Sequence, residues 1–156
     1  MTSEAGQADG APLGPSVPDE LRAFLDLYAR GEYWESHEVL EGPWREGGSD
    51  FYQGLILYAS AWVHWQRGNA HGVDAQLRKT LGRLDGYPDA WLGIDVEAIR
   101  HHCGEVREIV TSQTDWVDRV RPLPLDVDRA RVRGDESELH RAAGPTGSGP
   151  DGNEGG

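Results

Sequence analysis

Hydrophobic positions between Pro18 and Val110 recur at intervals of three and four, the spacing of helices with one buried face. From Pro18 to Arg30, Leu21, Phe24, Leu25 and Tyr28 form one stripe, and Gly31 is suited to a left-handed C-terminal cap. A second helix is predicted from about Glu32 to Glu41 or beyond, ahead of the Gly47-Gly48 break. Asp50 followed by Gln53 resembles a capping box that opens a third, longest helix running to Gly68. Asn69 can cap a fourth, striped by Val73, Leu77, Leu81 and Leu84 and ended by Gly86 and Pro88. Asp95 can cap a fifth, with Val96, Ile99, Cys103, Val106 and Val110 in register. No strand pattern competes. The prediction is all-α: a compact antiparallel bundle of about five helices with short connections.

Composition narrows the surroundings of that bundle. Residues 1–17 and 126–156 are rich in Gly, Pro and acid and offer little to bury, so disordered tails are expected around a single domain over 18–125. The formal charge is −12, from 27 acidic and 15 basic residues, which disfavours duplex nucleic acid and anionic membrane surfaces as partners. The apolar segment 51–65 is interrupted by Gln53, Ser60 and His64 and falls short of a span of about 20 residues. One cysteine, Cys103, excludes an intramolecular disulfide and thiolate-based metal clusters. With no basic start or apolar stretch in the first 18 residues, the expected location is cytoplasmic.

The polar residues carry the chemistry. On a wheel of the second helix, Trp34, His37, Glu38, Leu40, Glu41, Trp44 and Tyr33 share one arc, leaving Glu35, Ser36 and Val39 on the other side. A histidine and carboxylates among aromatic rings require pairing, hydrogen bonding or ligation. The third helix is apolar nearly all round except for one strip, Gln53, Ser60, His64 and Arg67. Gln53 and His64 are 11 residues apart, roughly 16 Å along a helix, so one end of the strip is expected beside His37 and Glu41. Glu97, His101, Glu105 and Glu108 lie opposite the fifth helix's apolar stripe and read as a solvated face. His102 reads as a packed, hydrogen-bonded histidine. His71 and His140 receive no role.

His37-xxx-Glu41-xx-Trp44, preceded by Gly31-Glu32-Tyr33-Trp34-Glu35 and followed by Gln53-Gly54-Leu55, His64 and Arg67-Gly68-Asn69, resembles the domain-of-unknown-function 309 family from about Phe24 to Ile99. The resemblance implies a small helical bacterial or archaeal protein without an established activity. It further implies that the motif, here His37, Glu41 and Trp44, is a suggested metal-binding element. Pro43 departs from a continuous helix and predicts a kink or an end near Glu41, which would release Trp44 from the arc.

Histidine and glutamate one turn apart can chelate a divalent ion, but a catalytic site needs about three protein ligands. His64 is the expected third, with Glu38 or Glu35 as proton acceptor if the ion supports hydrolysis. The second histidine of a zinc-protease HExxH motif is missing, and there is no ExxH pair. The alternative is a scaffold or interaction module in which the cluster is a structural hydrogen-bond network docking two helices. Partner classes compatible with the sequence are a small ligand, a divalent metal ion or a second copy of the chain.

Overall fold

The computed structural model describes residues 17–132, so most of each expected disordered tail, 1–16 and 133–156, lies outside the described residues. Six α-helices are present there: α1 (Asp19–Ala29), α2 (Tyr33–Gly47), α3 (Asp50–Gln66), α4 (Ala70–Leu84), α5 (Val96–Ser112) and the short α6 (Trp116–Arg119). Connections of two or three residues join α1 through α4, so each helix packs antiparallel on its sequence neighbour.

Helix α3 is the hub. Twelve of its 17 residues are buried, because α2 and α4 flank it and α1 and α5 close over its aromatic side. Tyr58 and Trp62 meet edge to face at 5.5 Å between ring centroids, Tyr58 stacks on Tyr28 of α1 at 6.3 Å, and Trp62 lies 5.6 Å from His102 of α5. The Tyr58 hydroxyl is 2.7 Å from His102 Nδ1, so His102 is packed and hydrogen-bonded as its spacing suggested. At Gly54 a β-carbon would lie 2.7 Å from Leu84, so the missing side chain sets the close approach of α3 and α4.

Local chemistry explains most boundaries. Gly31 and Gly68, with φ of +81° and +67°, both end helices in the left-handed region. Asn69 and Asp95 cap α4 and α5 by accepting from Gly72 N and Ala98 N. The expected capping box at Asp50 is corrected: Ser49 is the cap, accepting from Tyr52 N. Asp50 instead accepts from Arg83 Nη1 at 2.9 Å, tying the start of α3 to the end of α4.

Helix α2 departs from expectation in two ways. It neither ends nor turns aside at Pro43; the helix runs to Gly47 and Trp44 stays buried. Gly42 has no β-carbon for the proline ring to strike, and Leu40 and Trp44 are anchored in the core on either side of it. The wheel arc also needs correction. Ser36, placed on the outer side, is fully buried and donates to the Tyr33 carbonyl, whereas Trp34 is 51% exposed and Glu38 is exposed. Contacts with α1 as well as α3 rotate the buried stripe toward Ser36, Leu40 and Trp44.

A two-residue hairpin that the pattern did not predict precedes α5, pairing Ala90 with Asp95 and Trp91 with Ile94. Its turn residues Leu92 and Gly93 both have positive φ, +52° and +81°, as a type I′ turn requires. Burial of Leu92 holds this strained conformation. Past α6 the chain runs extended across the aromatic end of the bundle: the Tyr28 hydroxyl donates to the Leu123 carbonyl at 2.6 Å. Val127 packs on the core and Asp128 N donates to the Gly93 carbonyl, so packing continues past Leu125.

Candidate ligand groove between α2 and α3

Antiparallel docking of α2 on α3 leaves a cavity of about 280 Å³ along the polar strip of α3. Helix α2 contributes Trp34, His37, Glu41 and Trp44 to its wall. Helix α3 contributes Gln53, Ser60 and His64 together with the apolar Ile56, Leu57 and Val63. Arg67, just past the end of α3, and Gln76 of α4 complete it. The cavity is elongated along α3, so Gln53 and His64 both line it instead of one end alone; their separation along the helix remains roughly 16 Å.

His37 and Glu41 sit one turn apart with Nε2 and Oε2 separated by 3.4 Å. The other Glu41 oxygen is 3.5 Å from Arg45 Nη2, a weak contact at the rim. The His37 ring stacks on Trp34, centroids 4.9 Å apart and planes 30° off parallel, and together they form one lip of the cavity. Four polar atoms of residues that line the cavity are buried with no hydrogen-bond partner among the described residues: His37 Nδ1, Trp44 Nε1, Gln53 Oε1 and Gln76 Oε1. Gln53 itself is 3% exposed and Trp44 7%. Gln53 and Gln76 are 23 positions apart in the sequence, and only the α3–α4 packing brings both to one cavity.

His64 is held differently. Asn69 Oδ1 accepts from Gly72 N at 3.0 Å, which leaves the Asn69 amide nitrogen to donate to His64 Nδ1, also at 3.0 Å. That bond puts the proton of the neutral ring on Nε2. Burial, helped by the nearby Arg67 charge, lowers the His64 pKa below its usual value and favours the same neutral form. Ligation of an ion through Nε2 would require that proton to move to Nδ1 at the expense of the Asn69 bond. Gly72 makes room for the ring: a β-carbon there would collide with His64 Nδ1 and lie 2.7 Å from Asn69 Nδ2.

Among the described residues, no group of three His, Cys, Asp or Glu side chains is arranged to hold a metal ion. Glu35 and Glu38 are exposed and do not line the cavity. Glu97, His101, Glu105 and Glu108 are exposed on α5, where His101 and Glu105 pair at 3.2 Å in solvent. No helix among the described residues is long and apolar enough to cross a membrane.

The helical hairpin forming the groove lies within residues 21–75, which match the family model of a domain of unknown function, DUF309. Over that stretch the chain is similar to the DUF309 family. A search of the curated proteins gives no match. The matched segment covers most of α1, all of α2 and α3 and the start of α4, and so includes His37, Glu41, Trp44, Gln53 and His64; Gln76 stands immediately after it.

Proposed function

We propose that the groove beside His37 and Glu41 is a binding site for a small polar molecule. The observation that carries this reading is that four residues lining one cavity each hold a buried polar atom with no partner among the described residues. Each such atom costs about 1–3 kcal/mol when it is left without a partner, a cost that a bound ligand offsets. The scaffold alternative is less well supported, since a network that docks two helices satisfies its own members. A cytoplasmic location goes with this reading.

A second reading, a divalent ion at His37 and Glu41, is favoured by the 3.4 Å spacing of two potential ligand atoms at the cavity lip. In that reading His64 supplies a third ligand after a tautomer change, and a Glu38 or Glu35 carboxylate must swing inward to accept a proton from bound water.

Protein-observed NMR on the full chain, made without a polyhistidine tag and titrated with a library of polar fragments, tests the first reading. Fragments that bind are expected to shift the indole N–H signals of Trp34 and Trp44 together. A library in which nothing moves the Trp44 signal removes the binding-site reading. Zinc and manganese salts, titrated alone into the wild-type protein and His37→Ala, test the second: one ion taken up by the wild type and lost in the variant is the expected signature, and no uptake eliminates it.

A further inference from the structure

Resting on the reading of the groove as a ligand site, we propose that its ligand is a planar, nucleobase-like heterocycle whose amide-type edge is read by Gln53 and Gln76 and whose face stacks at the Trp34 lip. The argument starts from what the wall offers. Gln53 and Gln76 both line the cavity, each has a buried carbonyl oxygen without a partner among the described residues, and each side-chain amide carries an NH2 on the same carbon. A primary amide is therefore a donor–acceptor fork, complementary to an edge that alternates donor and acceptor, as glutamine is to the adenine edge. Trp44 adds a fixed N–H donor that calls for an acceptor on the same ligand.

The rest of the wall selects for flatness and against charge. Ile56, Leu57 and Val63 give an apolar surface suited to a ring face. A purely apolar ligand would leave the two amides and the indole N–H unpaired, and a polyhydroxylated one would waste the aliphatic surface. Of the lining charges, Glu41 already faces His37 and Arg45, and Arg67 is exposed at the far end. A compact anion would thus lose its water against neutral amides. Trp34 is an exposed indole already stacked on His37, and an exposed flat aromatic beside a polar cavity is a natural stacking platform. At about 280 Å³ the cavity lies at the small end of ligand sites, room for one ring system and not for a dinucleotide.

Adenosine, guanosine, cytidine, uridine and nicotinamide, titrated separately into the full chain and followed by calorimetry and by the Trp34 and Trp44 indole signals, form the test. Glucose and glycerol serve as polar, non-planar probes, and the polar fragment library is repeated alongside. At least one heterocycle is expected to bind with both indole signals shifting, and Gln53→Met and Gln76→Met are each expected to weaken it by about tenfold or more. Heterocycle binding indifferent to both substitutions overturns the proposal. If glucose, glycerol or non-planar fragments move Trp44 while no heterocycle does, the ligand class is wrong and the groove still binds; if nothing binds, the groove reading falls with it.

Discussion

Replacing Gln53 by methionine separates a binding groove from a structural network by the sign of the change in stability. Gln53 is 3% exposed, and its Oε1 is buried without a partner among the described residues. An unpaired buried carbonyl costs about 1–3 kcal/mol, and methionine keeps the unbranched shape of the side chain while removing the amide. Packing losses from the volume-conserving change are expected to be below about 1.5 kcal/mol. The expected net result in ligand-free protein is a stabilisation of about 1 kcal/mol, corresponding to a rise in Tm of roughly 3–5 °C for a domain of this size. Urea titrations of both proteins, followed by far-UV circular dichroism with unchanged m, measure it. If Gln53 were a working member of a network clamping α2 to α3, its loss would strand its partners and lower stability by a similar amount. A fall of about 1 kcal/mol or more in Gln53→Met would therefore refute the account of the groove as a site held open at a cost in stability.

Gly72→Ala should lose about 1–3 kcal/mol, since its β-carbon would strike the His64 ring and disturb the Asn69 contact; an unchanged urea midpoint would show that the ring moves aside freely. Tyr28→Phe removes the 2.6 Å hydrogen bond to the Leu123 carbonyl and should cost about 0.5–1.5 kcal/mol, with faster amide exchange over residues 120–128 as the local readout; equal exchange in both proteins would contradict it. Burial lowers the pKa of His102, so its neutral form is favoured in the fold and the unfolded chain takes up protons first as pH falls. Its contribution is present above the ordinary histidine value of about 6.5 and is lost as pH falls through the lower folded value. Between pH 7.5 and 5, the wild type should lose more stability than His102→Phe does, measured as the difference of their urea midpoints; parallel pH profiles would count against it.

Sequence periodicity made the fold class and five long helices legible because burying one face of a helix leaves a mark every three or four residues, as in Val73, Leu77, Leu81 and Leu84. Caps at Asn69 and Asp95 were readable for the same local reason: a side-chain oxygen satisfies amide groups three residues ahead. The rotation of α2 was not readable, since a wheel cannot tell which of two neighbours, α1 or α3, will claim Ser36 and expose Trp34. Nor was the Leu92–Gly93 turn, where burial imposes a backbone conformation that leucine avoids on its own.

The site divides along the same line. The one-turn spacing of His37 and Glu41 and the polar strip of Gln53, Ser60, His64 and Arg67 on its own helix follow from helix geometry alone; that both line one cavity is a tertiary result. What the tertiary structure decided is which polar atoms in that strip are already used. Asn69 occupies His64 Nδ1, whereas Gln76 arrives from α4 to add a second residue with an amide oxygen unpartnered among the described residues to the cavity that Trp44 and Gln53 line. Hydrogen-bond satisfaction depends on neighbours brought together through space, so no pattern along one helix could have shown which of these polar atoms are left without a partner among the described residues.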